Sequence, residues 1–276
     1  MNDTTIVLTV VLATFLSALG MGCLPLWRKL SDELSMLRWM TGLAAGFLLA
    51  SAILIAIPEG FMIYDEGGGV DFDAIPASGL AVLLGFLLLL VFEAFGFGHD
   101  IHEEHHEHAH EHGHGHVNHP SGVATSAVVG LTIHAAADGL AIGAALAADE
   151  LHITLPILLG VLMHKLPAAF SLGAFSQHER NDRKRSLIDI LVFSAATPLF
   201  IIITWSLLGD VSEAWIGLAI LFSAGSFLYV ATVDVLPEVH RHGSAKDVCL
   251  KVMLGALAII AVMLFMDVVG LVEHAH

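Results

Sequence analysis

The stretch IHAAADG, residues 133–139, places two ionisable side chains inside a long apolar segment. His134 and Asp138 are four residues apart, so on a helix they point the same way, one turn from each other. About thirty residues later, His164 and Lys165 interrupt a second apolar segment. Ionisable side chains inside a membrane span are costly and indicate function by default. The stretch therefore predicts a membrane fold with a functional site about halfway across it.

The composition agrees with a membrane protein. Of the 276 residues, 56% are hydrophobic and only 14% are charged, and the mean hydropathy is +0.80. Soluble domains are about 25% charged. The formal net charge of −16 argues against a nucleic-acid partner, because nucleic acids bind basic surfaces. The first apolar segment has no basic residue before it, so we expect a retained span rather than a signal peptide.

Eight apolar segments are each long enough to cross a bilayer as a helix, so the sequence predicts an all-α polytopic membrane protein. The predicted spans are residues 5–27, 37–58, 77–98, 122–147, 153–176, 186–208, 214–238 and 247–270. Loops divide these spans into three regions. Residues 1–98 contain spans 1–3, residues 122–176 contain spans 4–5 and the functional site, which we interpret below as a metal site, and residues 186–276 contain spans 6–8.

The basic residues predict the orientation. Every Lys and Arg except Lys165 falls on one side, in or beside the loops after spans 1, 5 and 7. Basic residues concentrate on the cytoplasmic side of membrane proteins. We therefore expect both termini to face outward.

Residues 99–121, between spans 3 and 4, form a histidine-rich loop with no Lys or Arg. A tract of this composition is typical of metal binding, and we expect a disordered cytoplasmic loop that captures metal. The histidines predicted to do so are His102, His105, His106, His108, His110, His112, His114 and His116.

Two segments repeat one pattern in opposite directions across the membrane. Residues 46–59 read GFLLASAILIAIPE and residues 225–238 read GSFLYVATVDVLPE. Spans 4 and 5 also match, because each has a glycine nine residues after its histidine. This indicates a 3+2+3 arrangement with an inverted repeat, which suits alternating access. The acids near these repeats, Glu59, Asp234 and Glu238, are candidates for the ion pathway or a gate. For Glu59 and Glu238, capping of helix ends is the alternative.

His134, Asp138 and His164 are the predicted metal ligands. Each histidine lies about eleven or twelve residues into its span, so both are near the bilayer midplane. Two imidazoles and one carboxylate suit zinc or a neighbouring transition ion. We favour this interpretation over a purely structural hydrogen-bond cluster, because two histidines lie at matched depth on adjacent antiparallel spans.

Lys165 is unusual, because a lysine at mid-membrane costs about 2.5–3.5 kcal/mol on insertion scales. Two roles are open. The ammonium could be a fixed charge where a second metal would otherwise bind, or it could exchange protons during transport. We favour the fixed charge.

The chain resembles the ZIP family of divalent metal transporters over nearly its whole length. The motifs HAAADG in span 4 and HKLPAAF in span 5 are similar to a branch with Golgi and plasma-membrane members in animals. Many members have His-Asn-x-Pro-Glu-Gly and His-Glu-x-Pro-His-Glu at these places and bind two adjacent metals. In this sequence His134, Asp138 and His164 match the first metal position. Lys165 and Ala168 stand where ligands of the second would be, which favours a mononuclear site.

The resemblance implies zinc uptake toward the cytoplasm across the cell (plasma) membrane, with cadmium, iron or manganese as further ions. It also implies a homodimer, and an elevator-like movement of spans 1, 4, 5 and 6 against spans 2, 3, 7 and 8. No enzymatic activity is expected.

Three alternatives remain open on the sequence alone. A cation-efflux exporter shares transmembrane His and Asp residues, although it usually has six spans and a soluble metal domain. An intramembrane zinc hydrolase would use the same ligands to activate water, but no HExxH motif occurs. A metal-gated sensor would bind without transport.

Overall fold

The fold consists of eight long helices in a computed structural model that describes residues 3–27, 34–69, 75–95, 123–149, 151–209, 211–242 and 244–270. We number the helices by span: α1 is Asp3–Trp27, α2 joins Leu34–Ser51, Ala52–Ala56 and Ile57–Glu66, α3 is Ala77–Ala94, α4 is Val123–Ala147, α5 is Leu151–Arg180, α6 is Arg183–Leu208, α7 joins Glu213–Tyr229, Val230–Val235 and Leu236–His242, and α8 is Ala245–Val268. Within the described residues, eight helices are long and apolar enough to cross a membrane, which confirms the predicted all-α, eight-span class.

Helices α2 and α7 continue past the Pro-Glu pairs where the sequence predicted their spans to end. Each contains a π-helical segment, Ala52–Ala56 or Val230–Val235, that ends two residues before its proline. Proline has no N–H to donate and crowds the preceding turn, and a π turn relieves both problems by changing the hydrogen-bond register. The helix therefore continues to Glu66 in α2 and to His242 in α7. The two repeats thus share a local structure as well as a sequence pattern.

The turn between α5 and α6 illustrates how short polar segments end these helices. Asn181 has a positive φ of 45°, a conformation that asparagine tolerates better than most residues. The side chain of Asp182 then accepts hydrogen bonds from the backbone N–H groups of Lys184 and Arg185. This N-cap starts α6 directly after α5 ends, so the two helices are tightly joined.

The helices pack as two bundles. The first bundle contains α1, α4, α5 and α6, and the second contains α2, α3, α7 and α8. The bundles meet where α5 packs against α2 and where α4 packs against α7. We call the α2–α5 contact the seam. The predicted ligands all lie in the first bundle, close to where it faces the second.

Candidate metal centre

The three predicted ligands come together between α4 and α5. Nε2 of His164 lies 3.1 Å from Nε2 of His134 and 3.2 Å from Oδ1 of Asp138, and the remaining His134–Asp138 distance is 3.8 Å. Within the part of the chain that the structure describes, no other group of three His, Cys, Asp or Glu side chains has ligand atoms this close. The i,i+4 spacing on α4 sets the first pair, and the antiparallel packing of α5 brings the second histidine to the same depth.

These distances fit a zinc-sized ion. Ligand atoms around a tetrahedral zinc with bonds of about 2.1 Å lie about 3.4 Å apart. The three observed distances bracket that value. Asp138 and His164 are almost completely buried, whereas the side chain of His134 remains 14% exposed. An ion reaching this place would therefore lose most of its water and exchange it for protein ligands.

The hydrogen bonding of His164 fixes which ring nitrogen faces the ion. Its Nδ1 lies 3.0 Å from the carbonyl oxygen of Gly160, one turn earlier on α5. A carbonyl can only accept, so Nδ1 carries the hydrogen and donates. In the neutral ring, Nε2 then carries the lone pair, which faces Nε2 of His134 and the site. This arrangement, in which the second nitrogen is held by a carbonyl, is typical of histidine metal ligands.

Asp138 supplies a buried carboxylate that accepts no hydrogen bond through either oxygen. Buried polar atoms are nearly always hydrogen-bonded, and a buried charge is costly unless it is paired, so we expect this carboxylate to have a cation beside it. Its two oxygens face different neighbours. Oδ1 faces the histidines, and Oδ2 lies 3.8 Å from Nζ of Lys165. The carboxylate is thus suited to bind a metal on one side while a fixed charge faces it on the other.

Lys165 is held by residues that the sequence did not single out. Its Nζ donates a hydrogen bond of 2.6 Å to Oγ1 of Thr197 on α6 and lies 4.3 Å from the ring centroid of Phe193. The hydroxyl of Thr197 donates in turn to the carbonyl oxygen of Ala135, at 2.7 Å. Three helices therefore meet at this ammonium. One sequence signal existed, a threonine before Pro198 in an apolar span, but nothing in its spacing linked it to Lys165.

The proposed pathway acids are only partly described. Glu59 lies away from the three ligands, at the far end of the seam, and its Oε1 is 3.6 Å from Nε2 of His152. Because α2 continues to Glu66, Glu59 does not cap the end of a helix. The backbones of Asp234 and Glu238 lie in α7, but their side chains are outside the described part of the chain. The histidine-rich loop also lies outside the described residues.

Comparisons with known proteins point to one family. Residues 98–267 match the sequence model of the family described as ZIP Zinc transporter. The zinc transporter ZIP9-B of Xenopus laevis is 31% identical over 89% of this chain and 91% of its own length. ZIP9 of Micropogonias undulatus is 32% identical over 81% of this chain and 83% of its own length. ZIP9 of Macaca fascicularis reaches 44% identity over a shorter match, 41% of this chain and 53% of its own.

Proposed function

The chain belongs to the ZIP zinc-transporter family, and we propose that it carries zinc into the cytoplasm by alternating access through His134, Asp138 and His164. Membership makes the protein a metal-ion transporter and not an enzyme. The observation that carries the proposal is the geometry of the buried site, with three ligand atoms at the spacing that zinc requires. Three protein ligands leave a position for water, so the ion can be released again.

The proposed orientation has both termini outside. The α5–α6 turn carries Arg180, Arg183, Lys184 and Arg185, whereas the loops after α2, α4 and α6 contain no Lys or Arg. The positive-inside rule then makes the α5–α6 end cytoplasmic. On this orientation, Glu59 and His152 lie toward the outer face of the membrane.

We propose a mononuclear site in which Lys165 supplies the charge of a second metal. The support is local: the ammonium is buried, lies beside Oδ2 of Asp138 and is hydrogen-bonded to Thr197. The place of a second metal ion is therefore occupied by a cation that is covalently attached to α5. Ala168, on the same helix, offers no ligand atom. A fixed charge explains the hydrogen bonds better than a proton carrier does, since a carrier needs a route for its proton.

The proposed movement carries the first bundle past the second. All three ligands, Lys165 and Thr197 belong to helices α4, α5 and α6 of the first bundle. No ligand would have to detach from its neighbours during such a movement, so the site could be carried intact. This supports the elevator-like mechanism that the family resemblance implies.

The remaining parts of the proposal concern the route and the assembly. Zinc enters near Glu59 and leaves past Asp234 or Glu238 toward the histidine-rich loop, which captures it in the cytoplasm. Cadmium, iron and manganese are further candidate ions, because imidazole and carboxylate donors also bind these metals. The proposed assembly is a homodimer in the plasma membrane.

Uptake of radioactive zinc into proteoliposomes tests the function. We expect uptake by the unmodified protein and none above background with His134→Ala/His164→Ala. Ser223→Ala is a matched control, because it removes a buried hydroxyl from α7 of the second bundle that bonds only within its own helix. Full uptake by the double variant would refute the site, and uptake lost equally in the control would point to a general folding defect.

Direction is tested in cells, where the sidedness of the protein is defined. An epitope tag at the C-terminus should be stained without permeabilising the cells. Expression should raise cytoplasmic zinc when zinc is added outside. Net loss of preloaded zinc from the cells would favour an exporter instead, and metal binding without any flux would favour a sensor.

A further inference from the structure

One row of residues on α5 runs from the metal centre to the outer end of the protein. His152, Pro156, Gly160 and His164 follow each other at intervals of four residues, so each lies about one turn from the next, in a row that winds slowly around the helix. Gly160 and His164 are already linked through a hydrogen bond. The twelve residues between the two histidines correspond to about 18 Å along the helix axis. A second histidine thus lies in the same row of α5, near its outer end.

The middle of this row, at Pro156 and Gly160, faces α2 across the seam. The hydroxyl of Ser51 donates to the carbonyl oxygen of Pro156 at 3.4 Å. A Cβ added at Gly160 would lie 2.7 Å from Oγ of Ser51. Ser51 itself is fully buried. The seam is therefore tightly closed between the outer end of α5 and the metal centre.

Glu59 and His152 face each other outside this closed part of the seam. Their ligand atoms, Oε1 and Nε2, are 3.6 Å apart, and their side chains are 24% and 17% exposed. An imidazole and a carboxylate are zinc ligands, and the separation is close to the roughly 3.4 Å expected for two ligands of one zinc ion. The pair is partly exposed at the surface and lies beside the outer end of the seam. It also joins the two bundles, since Glu59 lies on α2 and His152 on α5.

The charge around the pair favours cations. Glu66, at the end of α2, and Asp149, just before α5, lie at the same end of the bundles. The adjoining loops, residues 67–76 and 148–150, contain no Lys or Arg. A surface of one charge raises the local concentration of the opposite ion.

We propose that Glu59 and His152 form an outer divalent-metal station that receives the ion before the seam opens toward His164. The proposal rests on the proposed transport function and adds a second binding place to it. Two protein ligands, with water completing the shell, bind the ion weakly enough to pass it on. Opening the seam separates α2 from α5, so it also separates the two ligands and releases the ion.

Uptake at increasing external zinc concentrations tests the station in a working transporter. Glu59→Gln and His152→Ala should each raise the KM for zinc about fivefold and leave Vmax nearly unchanged, because they remove capture and not the central site. The double variant should be no worse than either single variant, since both ligands hold one ion. Glu213→Gln is the matched control, because it removes an exposed acid from the start of α7, on the same side of the membrane, and should leave the KM within about twofold.

A third substitution separates a metal station from a plain ion pair. Glu59→His puts two imidazoles face to face, which still bind zinc but cannot form an ion pair. The station predicts a KM close to that of the unmodified protein. A KM as high as that of Glu59→Gln would mean that only the ion pair matters and would overturn the proposal, as would an unchanged KM in both single variants.

A measurement without transport keeps the station testable even if the proposed function fails. In a background with Cys23→Ser and Cys249→Ser, which removes both free thiols of the described chain, Glu59→Cys introduces one thiol beside His152. Labelling of that thiol by a membrane-impermeant maleimide, added outside, should be slowed about tenfold by cadmium. The protection should vanish on adding His152→Ala. Protection that does not depend on His152 would overturn the proposal.

Discussion

The two bundles bury charge very differently. Among the described residues, the second bundle buries one Asp, Glu, His, Lys or Arg side chain, Lys251. The first bundle buries four: Asp138, His164, Lys165 and Asp189. Both bundles have close backbone approaches, as at Gly225 of the second, where a Cβ would lie 1.9 Å from the carbonyl oxygen of Val82, so the buried charge is what distinguishes the first. The helices of the first bundle are thus held together around buried polar groups, and we call this bundle the carrier. The second bundle is mainly apolar inside, and we call it the frame.

The buried charges of the first bundle also tie its helices together at two levels. Near mid-membrane, Lys165 of α5 is bonded to Thr197 of α6. Toward the α5–α6 turn, Asp189 of α6 accepts hydrogen bonds from Arg180 and Ser176 of α5. Such contacts are strong only while every partner is in place, because a buried charge without its partner is costly. The charged groups should therefore make the first bundle rigid as well as functional.

Removing the ligand carboxylate should have the largest effect. Asp138→Asn takes away a proposed metal ligand and leaves the ammonium of Lys165 uncompensated inside the bundle. We expect zinc uptake to be lost. The variant should also unfold more easily by about 3–5 kcal/mol, the usual cost of removing one member of a buried pair. Thermal unfolding in detergent and proteoliposome uptake measure the two losses separately.

A double variant distinguishes the two consequences of that change. Asp138→Asn/Lys165→Met removes both charges and keeps similar volumes, so most of the stability should return while uptake stays absent. If stability stays low in the double variant, the charge pair does not explain the loss. If uptake returns, Asp138 is not a ligand.

Glycine substitutions should distinguish contacts inside a bundle from the contact at the seam. Gly173→Ala in the first bundle would place a Cβ 2.0 Å from the carbonyl oxygen of Gly22, where only backbone could yield. Gly160→Ala at the seam would meet the small side chain of Ser51 instead. We expect the free energy of unfolding to fall by about 3 kcal/mol for Gly173→Ala and by about 1 kcal/mol for Gly160→Ala, because backbone yields less easily to an added methyl group than a small side chain does.

Ser51→Ala provides the control for the seam. Combined with Gly160→Ala, it should recover most of the lost stability, because it removes the oxygen that the new methyl group would meet. It should not improve Gly173→Ala, which lies elsewhere on α5. Equal losses for the two glycine variants would mean that the seam is packed as rigidly as a bundle interior, contrary to a movement along it.

The sequence predicted that His134, Asp138 and His164 lie together because their positions follow from local rules. His134 and Asp138 share a face through one helical turn, and His164 lies at the same depth on the next, antiparallel span. Span lengths and helix periodicity thus determine the site almost completely. The eight-helix class followed in the same way, from the lengths of the apolar segments.

Other parts of the site depended on packing that no local rule describes. Thr197 bonds to Ala135 because α4 and α6 cross closely, where a Cβ at Gly139 would lie 2.5 Å from the carbonyl oxygen of Thr197, and this contact holds its hydroxyl beside Lys165 of α5. His152 faces Glu59 only because α2 continues beyond Pro58. That continuation depends on the π segment, which the rule that proline ends helices does not anticipate.

Thr197→Val should have a moderate effect. It keeps the shape of the side chain but removes the hydroxyl that accepts from Lys165 and donates to Ala135. We expect a loss of about 1–3 kcal/mol in stability, typical of leaving a buried polar group unsatisfied. The freed ammonium should move toward Asp138 and compete with the ion, so the KM for zinc should rise. Thr197→Ser, which keeps the hydroxyl, should restore both values, and a variant with unchanged KM would limit Thr197 to a structural role.

Lys251→Met should have the smallest effect and tests the frame itself. The ammonium of Lys251 bonds to Oδ2 of Asp247 at 2.6 Å and lies 5.0 Å from the ring centroid of Trp39. Both of these partners are exposed, so water replaces what the substitution removes and the stability change should be below about 1 kcal/mol. Lys165→Met, the same change in the first bundle, leaves Asp138 as an uncompensated buried anion and should cost several times more. Equal effects at the two lysines, measured by unfolding and by zinc uptake, would contradict the division into a charged carrier and an apolar frame.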